Sequence, residues 1–322
     1  MHHPWCPRKS SPPKKQAIMA EATALVPPAA PPASAFVALL IGNVALAFGP
    51  WFVRMADTGP VASAFWRIAL AAPVLVAAAW ATGWRPVQIS RSIWLVVFLS
   101  GMCFAADLAS WHIGILRTTL ANATLFGNST ILFFPIYGFL IARALPSRSQ
   151  GIALLLAAIG AALLMGQSYR LDPRHLGGDL FCLLAGIVYT AYFVLMARAR
   201  ETMAPLAALA MSTIASIAPL LIVAMLLGEK ILPDHWGVLI GLTFCSQVLG
   251  QGMMIYALGK LSPLVIGIGL LIQPIVAAAV GWIAYGEQLG PADLIGAILV
   301  AIALVLVRRP VPAPLGLAPA SS

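Results

Sequence analysis

Ten apolar runs, divided by short polar breaks, make up most of this chain. The pattern predicts helices over 35–53, 60–83, 92–114, 118–141, 149–166, 175–199, 205–228, 235–259, 262–286 and 290–308. Most exceed the 18 or so residues that separate a membrane span from a buried core helix. Pro60, Pro263 and Pro291 stand near helix starts, where a missing N–H costs nothing. Pro135 and Pro274 fall inside spans and should kink them. The expected fold is an all-α polytopic membrane protein of ten transmembrane helices. Residues 1–34 and 310–322 carry no periodicity and are expected to be disordered tails. Met1 and Met19 are both candidate starts, and no cleaved signal is expected, since the first run is too long for a signal core.

The pattern also repeats. Between Gly252 and Arg309 an apolar helix ends at Lys260 and the break Leu261-Ser262-Pro263 follows. A long apolar run interrupted by Gln273-Pro274 leads to Gly286-Glu287-Gln288-Leu289-Gly290 and a last apolar run. A degenerate copy starts near Trp111, with Arg117-Thr118-Thr119 for the break, an apolar run from Leu120 to Ile141, and then Arg143. Thr130 to Arg143 spans 13 residues, as does Pro274 to Glu287. Self-similarity of this kind sets the architecture, giving two related five-helix units, 35–168 and 175–309.

Composition agrees: 61% of residues are hydrophobic and 9% charged, against roughly 25% charged in an average soluble domain. The net charge of +9 does not point to nucleic acid, because the basic residues lie singly or in pairs between apolar runs. Their distribution reads as orientation. With the N-terminus in the cytoplasm, thirteen Lys and Arg fall on the inner side and five (Arg54, Arg117, Arg170, Arg174 and Lys230) on the outer, which supports two cytoplasmic termini. Five spans per unit then turn the second unit upside down relative to the first. Inverted repeats are common among secondary transporters, which hold substrate near the midplane between the repeats.

Through its ten spans, its two halves and the Tyr256-Ala257-Leu258, Pro274, Gly286-Glu287 and Gly296 of its second half, the chain resembles the EamA-type transporters of the drug/metabolite transporter superfamily. The first half departs from the family pattern, with Thr130 where proline is usual and Arg143 where glutamate is usual. The resemblance implies an inner-membrane exporter of small metabolites, amino acids or drugs, working by alternating access around a central cavity.

Charged residues inside a membrane usually face a cavity or a partner, since each costs roughly 2.5–3.5 kcal/mol at the centre. Arg67 and Asp107 each lie about seven residues from the outer end of their spans, hence about 10 Å below the surface. Equal depth predicts an Arg67–Asp107 pair, either a lock between helices or a substrate-carboxylate site with Asp107 as partner or titrating group. Asp179 either joins them or caps its helix, and His112 is expected at the interface. Helical angles place Asp107 with Trp111, Thr118 with Asn122 and Ser129, Asp179 with Tyr189, and Gln247 with Gln251, while the first span contributes Asn43. Interhelical hydrogen bonding accounts for any one of these. Together they are the candidate substrate-binding set: Arg67, Asp107, Trp111, Asn122, Ser129, Tyr189, Gln247, Gln251 and Asn43.

No phosphate-binding glycine loop and no metal-ligand spacing of His, Cys and carboxylates is present, so no cofactor or metal is expected and a gradient, with protons as one candidate, would supply energy. The expected partners are a small-molecule substrate and the lipid bilayer, and the oligomeric state stays open. A membrane enzyme acting on a lipid-linked substrate and a passive uniporter or channel are the alternatives. The scattered carboxylates weigh against the enzyme.

Overall fold

The computed structural model describes residues 32–85, 89–118, 123, 126–143, 145–166, 174–285 and 290–307, and every regular element among them is helical. In chain order these are α1 (Ala33–Ala47), α2 (Gly49–Met55), α3 (Pro60–Ala81), α4 (Arg91–Arg117), α5 (Thr130–Ala142), α6 (Arg148–Gly166), α7 (Leu176–Arg200), α8 (Pro205–Leu226), α9 (Trp236–Leu242), a π-helical segment (Thr243–Gln251), α10 (Gly252–Leu258), α11 (Pro263–Gly269), α12 (Ile272–Tyr285) and α13 (Pro291–Val307). Six stretches are long and apolar enough to cross a membrane: Ala33–Met55, Pro60–Ala81, Arg91–Arg117, Leu176–Arg200, Pro205–Leu226 and Trp236–Leu258. Four shorter apolar helices accompany them, Thr130–Ala142, Arg148–Gly160, Pro263–Val276 and Leu294–Val307.

Local chemistry explains where the helices begin. Pro60 and Pro263 occupy first turns, and the Ser90 and Ser262 hydroxyls accept from the N–H groups of Ile93 and Val265 at 3.4 Å. Prolines inside helices are more numerous than the pattern marked: Pro73 in α3 and Pro219 in α8 join Pro135 in α5.

Three of the apolar runs are discontinuous, the first of them at Phe48, between α1 and α2. The ninth breaks at Leu270-Leu271, where the chain turns through i→i+3 bonds such as Leu271 N–H to Ile268 O (3.1 Å). Pro274 has no N–H to offer the Leu270 carbonyl, and Gln273 bonds it instead at 3.1 Å. The fourth run, expected to be continuous, breaks at Asn128-Ser129 through Ser129 N–H to Phe126 O (3.1 Å) and Ile131 N–H to Asn128 O (2.9 Å). A further irregularity is the π-helical segment, a rare conformation often found at functional sites.

The helices pack in a recurring set of pairs: α4 along α7, α1 along the π segment and α10, α3 against α8, α5 against α11, and α6 against α13. Small residues permit the close approaches. A Cβ on Gly101 would lie 2.6 Å from Ser212 O of α8, and one on Gly160 2.8 Å from Gly296 O of α13. The interior holds Leu39, Ile68, Leu75, Phe104, Tyr192, Phe193 and Met196, all buried. Large apolar side chains such as Leu140, Ile141, Leu226 and Ile283 are exposed, an outward face that suits lipid rather than water.

The loop before α3 and the loop between α8 and α9 are tied together. Gly59 N–H donates to Lys230 O (3.0 Å), Ala62 N–H to the Glu229 carboxylate (2.8 Å) and Trp66 Nε1–H to Ile231 O (2.7 Å). Asp57 accepts from the N–H groups of Asp234 (2.7 Å) and His235 (3.2 Å), with Lys230 Nζ 3.9 Å away.

Candidate functional site

A cavity of about 80 Å³ lies among the helices, lined by Leu46, Ala47, Pro50, Arg67, Phe104, Asp107, Leu108, Trp111, Gly127, Asn128, Tyr189, Gln251 and Gln273. Its walls come from α1 to α4 and the 127–128 break on one side of the sequence, and from α7, the π segment and α12 on the other. The interruptions of the fourth and ninth runs adjoin it, through Gly127-Asn128 and through Gln273, next to Pro274. Interrupted helices leave backbone groups free to face a ligand, and such breaks are tolerated at membrane depth only where they are buried in protein or line a cavity.

Five of the nine candidate residues meet here: Arg67, Asp107, Trp111, Tyr189 and Gln251. Two more support the wall from behind. Gln247 is buried, accepts from Arg67 Nε (3.3 Å) and donates to Thr213 Oγ1 (3.2 Å). Asn43 is buried and accepts from Gln273 Nε2 (2.9 Å), which fixes the amide that reaches the cavity. Ser129 sits at the fourth-run break against Gly186, where a Cβ would come 2.1 Å from its Oγ. Asn122 lies outside the described residues, as do Arg170, Gly286 and Glu287.

The expected Arg67–Asp107 ion pair is not formed. Among the described residues Arg67 makes one hydrogen bond, to Gln247, and its guanidinium carbon lies 6.0 Å from the Phe104 ring centroid. Asp107 has no hydrogen bond or ion pair among the described residues, although both charges are buried at the same cavity. Equal depth fixed their height but not their direction around the helix axis. Asp179 stands apart from the cavity, with Thr118 Oγ1 donating to its Oδ1 at 2.5 Å. His112 lies at the end of α4, beside the first turn of α3. It is fully buried within the protein, with Nδ1 2.8 Å from Pro60 O in that turn and 3.0 Å from Ser63 Oγ.

Behind the cavity, aromatic rings are packed in a layer. Phe104 stacks on Tyr192 (4.5 Å between centroids), Tyr189 lies against Phe193 (4.3 Å), and Phe134 meets Phe193 edge-on (5.4 Å). The Tyr189 hydroxyl and the Gln251 amide are hydrogen-bonded, with Nε2 3.0 Å from the phenol oxygen. Thr130, at the position where the resemblance implies proline, donates through Oγ1 to Gly186 O at 2.6 Å and so ties α5 to α7.

Sequence reasoning passed over Gln273 and Asn128. Gln273 stands in the sequence pattern only as half of a helix break, and Asn128 falls off the polar side drawn through Thr118, Asn122 and Ser129.

Residues 176–309 match the EamA-like transporter family. The chain is 26% identical over 147 residues to a protein of Archaeoglobus fulgidus named as an uncharacterized transporter; the match covers 44% of this chain and spans about half (50%) of that relative's length. A solved crystal structure, titled only as that of a protein, shares the fold with a TM-score of 0.70 at 15% identity, covering 85% of this chain and 94% of that one.

Proposed function

We propose that this chain, a multi-pass membrane protein whose residues 176–309 are an EamA-like transporter segment, is a secondary transporter that carries a small polar solute by alternating access. The observation that carries the reading is the central cavity, built from both halves of the sequence, bordered by two helix breaks and holding two buried opposite charges that do not pair with each other. A structural ion pair would have closed on itself. These charges are left for a ligand.

The finer architecture in this reading is ten transmembrane helices in two inverted five-helix repeats, 35–168 and 175–309. The packing supports it. Exchanging each helix of the first unit with its counterpart in the second maps the α4–α7 contact onto the contact of α1 with the π segment, and maps the α3–α8, α5–α11 and α6–α13 contacts onto themselves. The two breaks, in the fourth and ninth runs, are counterparts as well. A pseudo-twofold axis in the membrane plane would do this, and two such halves rocking about the cavity would expose it to each side in turn. The charge bias supports an inner-membrane location with cytoplasmic termini and the Asp57–Lys230 loops outside. Export is the direction the family resemblance favours.

The test compares solutes excreted by cells with and without the protein, and then measures the flux of the enriched solute in proteoliposomes. Saturable flux that follows an imposed gradient is expected. Unsaturable flux would mean a channel, and turnover of a lipid-linked substrate in detergent, without vesicles, would mean an enzyme.

A further inference from the structure

The Trp111 indole lies between two glycines on different helices. A Cβ on Gly127 would come 2.9 Å from its Nε1, and one on Gly49 3.7 Å from Cη2 at the far corner of the ring. Gly127 belongs to the interruption of the fourth run, and Gly49 opens α2 just past the interruption of the first. The ring thus reaches from one helix break to another, beside the Ala47, Pro50 and Asn128 walls of the cavity. Little holds it there. A buried indole N–H ordinarily finds an acceptor, but that of Trp111 donates no hydrogen bond among the described residues. Its one ring contact among them is with the next residue, His112, at 5.5 Å. Other aromatic residues nearby are fastened. Trp66 donates to Ile231 O (2.7 Å) and meets Trp236 edge-on (4.8 Å), while Phe104 and Tyr189 stack on Tyr192 at 4.5 and 5.7 Å.

The neighbours of Trp111 also fix which end of the cavity it occupies. Phe104 and the stacked layer lie two turns back along α4. In the other direction His112 bonds Pro60 O, and the adjoining Gly59 bonds Lys230 O. We propose that the Trp111 side chain is a door at the Lys230 end of the cavity. Staggered positions about its Cα–Cβ bond stand about 120° apart, so one turn of that bond carries the ring off the Gly127 and Gly49 contacts and opens the cavity to that face. Glycine at both contacts gives the ring a flat track, where any Cβ on Gly127 would wedge it. The door rests on the transporter reading for its use, since alternating access needs one face opened while the other stays shut.

The experiment uses the full chain with its four cysteines replaced by alanine and Ala47→Cys as a reporter in the cavity wall. Membrane vesicles of each orientation are treated with the impermeant thiol reagent 2-sulfonatoethyl methanethiosulfonate, and Lys230→Cys in parallel vesicles identifies the face. Trp111→Ala should speed labelling of the reporter at least tenfold from the Lys230 face and less than twofold from the opposite face. Gly127→Ala should slow it at least threefold from the Lys230 face. An unchanged rate in Trp111→Ala overturns the door, and so does an equal gain from both faces, the result a merely structural ring would give. Should Trp111→Ala fail to run as a single monodisperse peak in gel filtration, Trp111→Phe, with its shorter ring, takes its place in the same two-sided comparison. Labelling reads access and not flux, so the door can fall while transport stands, and a chain that moves no solute can still show the door.

Discussion

Arg67 Nε lies 3.3 Å from Gln247 Oε1, a hydrogen bond that joins α3 to the π segment across 180 positions of sequence. Gln247 in turn donates to Thr213 Oγ1 on α8, so the guanidinium is held from behind by an amide that is itself held. Hydrogen bonds to charged groups contribute about 1.5–3 kcal/mol. Gln247→Leu should therefore weaken solute binding about tenfold while maximal flux stays within a factor of a few. Arg67→Ala should abolish flux while expression persists. Titrating proteoliposome flux against solute concentration separates the two effects, and wild-type flux in Arg67→Ala would remove Arg67 from the site.

Glu229 caps α3 through Ala62 N–H, and a Cβ on Gly59 would come 2.3 Å from the Glu229 carboxylate. Loss of a helix cap costs about 1 kcal/mol. Glu229→Ala and Gly59→Ala should each lower the unfolding midpoint, and the double variant should lose less than the two losses added, because both break one contact. Full additivity in a thermal melt would show the two positions to be independent.

The Asp57 carboxyl feels desolvation, which pushes its pKa up, but the N–H groups of Asp234 and His235 together with Lys230 outweigh this and hold it below the usual carboxylate value. A group whose folded pKa is lowered adds stability above its unfolded pKa and loses it as pH falls through the folded one. The unfolding midpoint of the wild type should thus drop below about pH 4, near the ordinary aspartate value. Asp57→Asn should cost stability at pH 7 and little at pH 3. Melts at the two pH values check the sign, and an equal cost at both would exclude this carboxylate as the source.

A Cβ on Gly186 would meet Ser129 Oγ at 2.1 Å and Phe126 O at 2.9 Å, so Gly186→Ala must push the 128–129 break away from α7. Overpacking of this kind costs about 1–3 kcal/mol. Flux is expected to fall more than folded yield, since Gly127 and Asn128 line the cavity. Unchanged flux would show that the break does not have to sit where it does.

Lys230 and Glu201 lie in loops at opposite ends of α8. In right-side-out membranes an impermeant thiol reagent should label Lys230→Cys and spare Glu201→Cys, and reporter fusions at residue 200 and at the C-terminus should both report cytoplasm. Any reversal overturns the orientation drawn from the charge bias.

The six long helices were legible because apolar run length is set by bilayer thickness, and counting along two of them brings Arg67 and Asp107 to one cavity. Direction around the axis was harder. Gln247 and Gln251 kept a common side because a spacing of four residues is close to one turn in α and π helices alike. Asn128 did not, since angular counting fails across a break that the residues Phe126 to Ile131 barely announce. The absence of a direct Arg67–Asp107 bond could not be read from depth at all. Gln247, a residue 180 positions from Arg67, accepts from Nε and so helps to set the direction of the guanidinium.

The cavity draws Arg67, Asp107 and Asn128 from one half of the chain, and Tyr189, Gln251 and Gln273 from the other. Severed near residue 170, each fragment would own only a trough with half its chemistry, one bearing both charges and the other only amides and a phenol. Neither piece would move solute by itself. Co-production of the two fragments should restore the vessel, since the surfaces that mate them are the same ones that enclose the cavity.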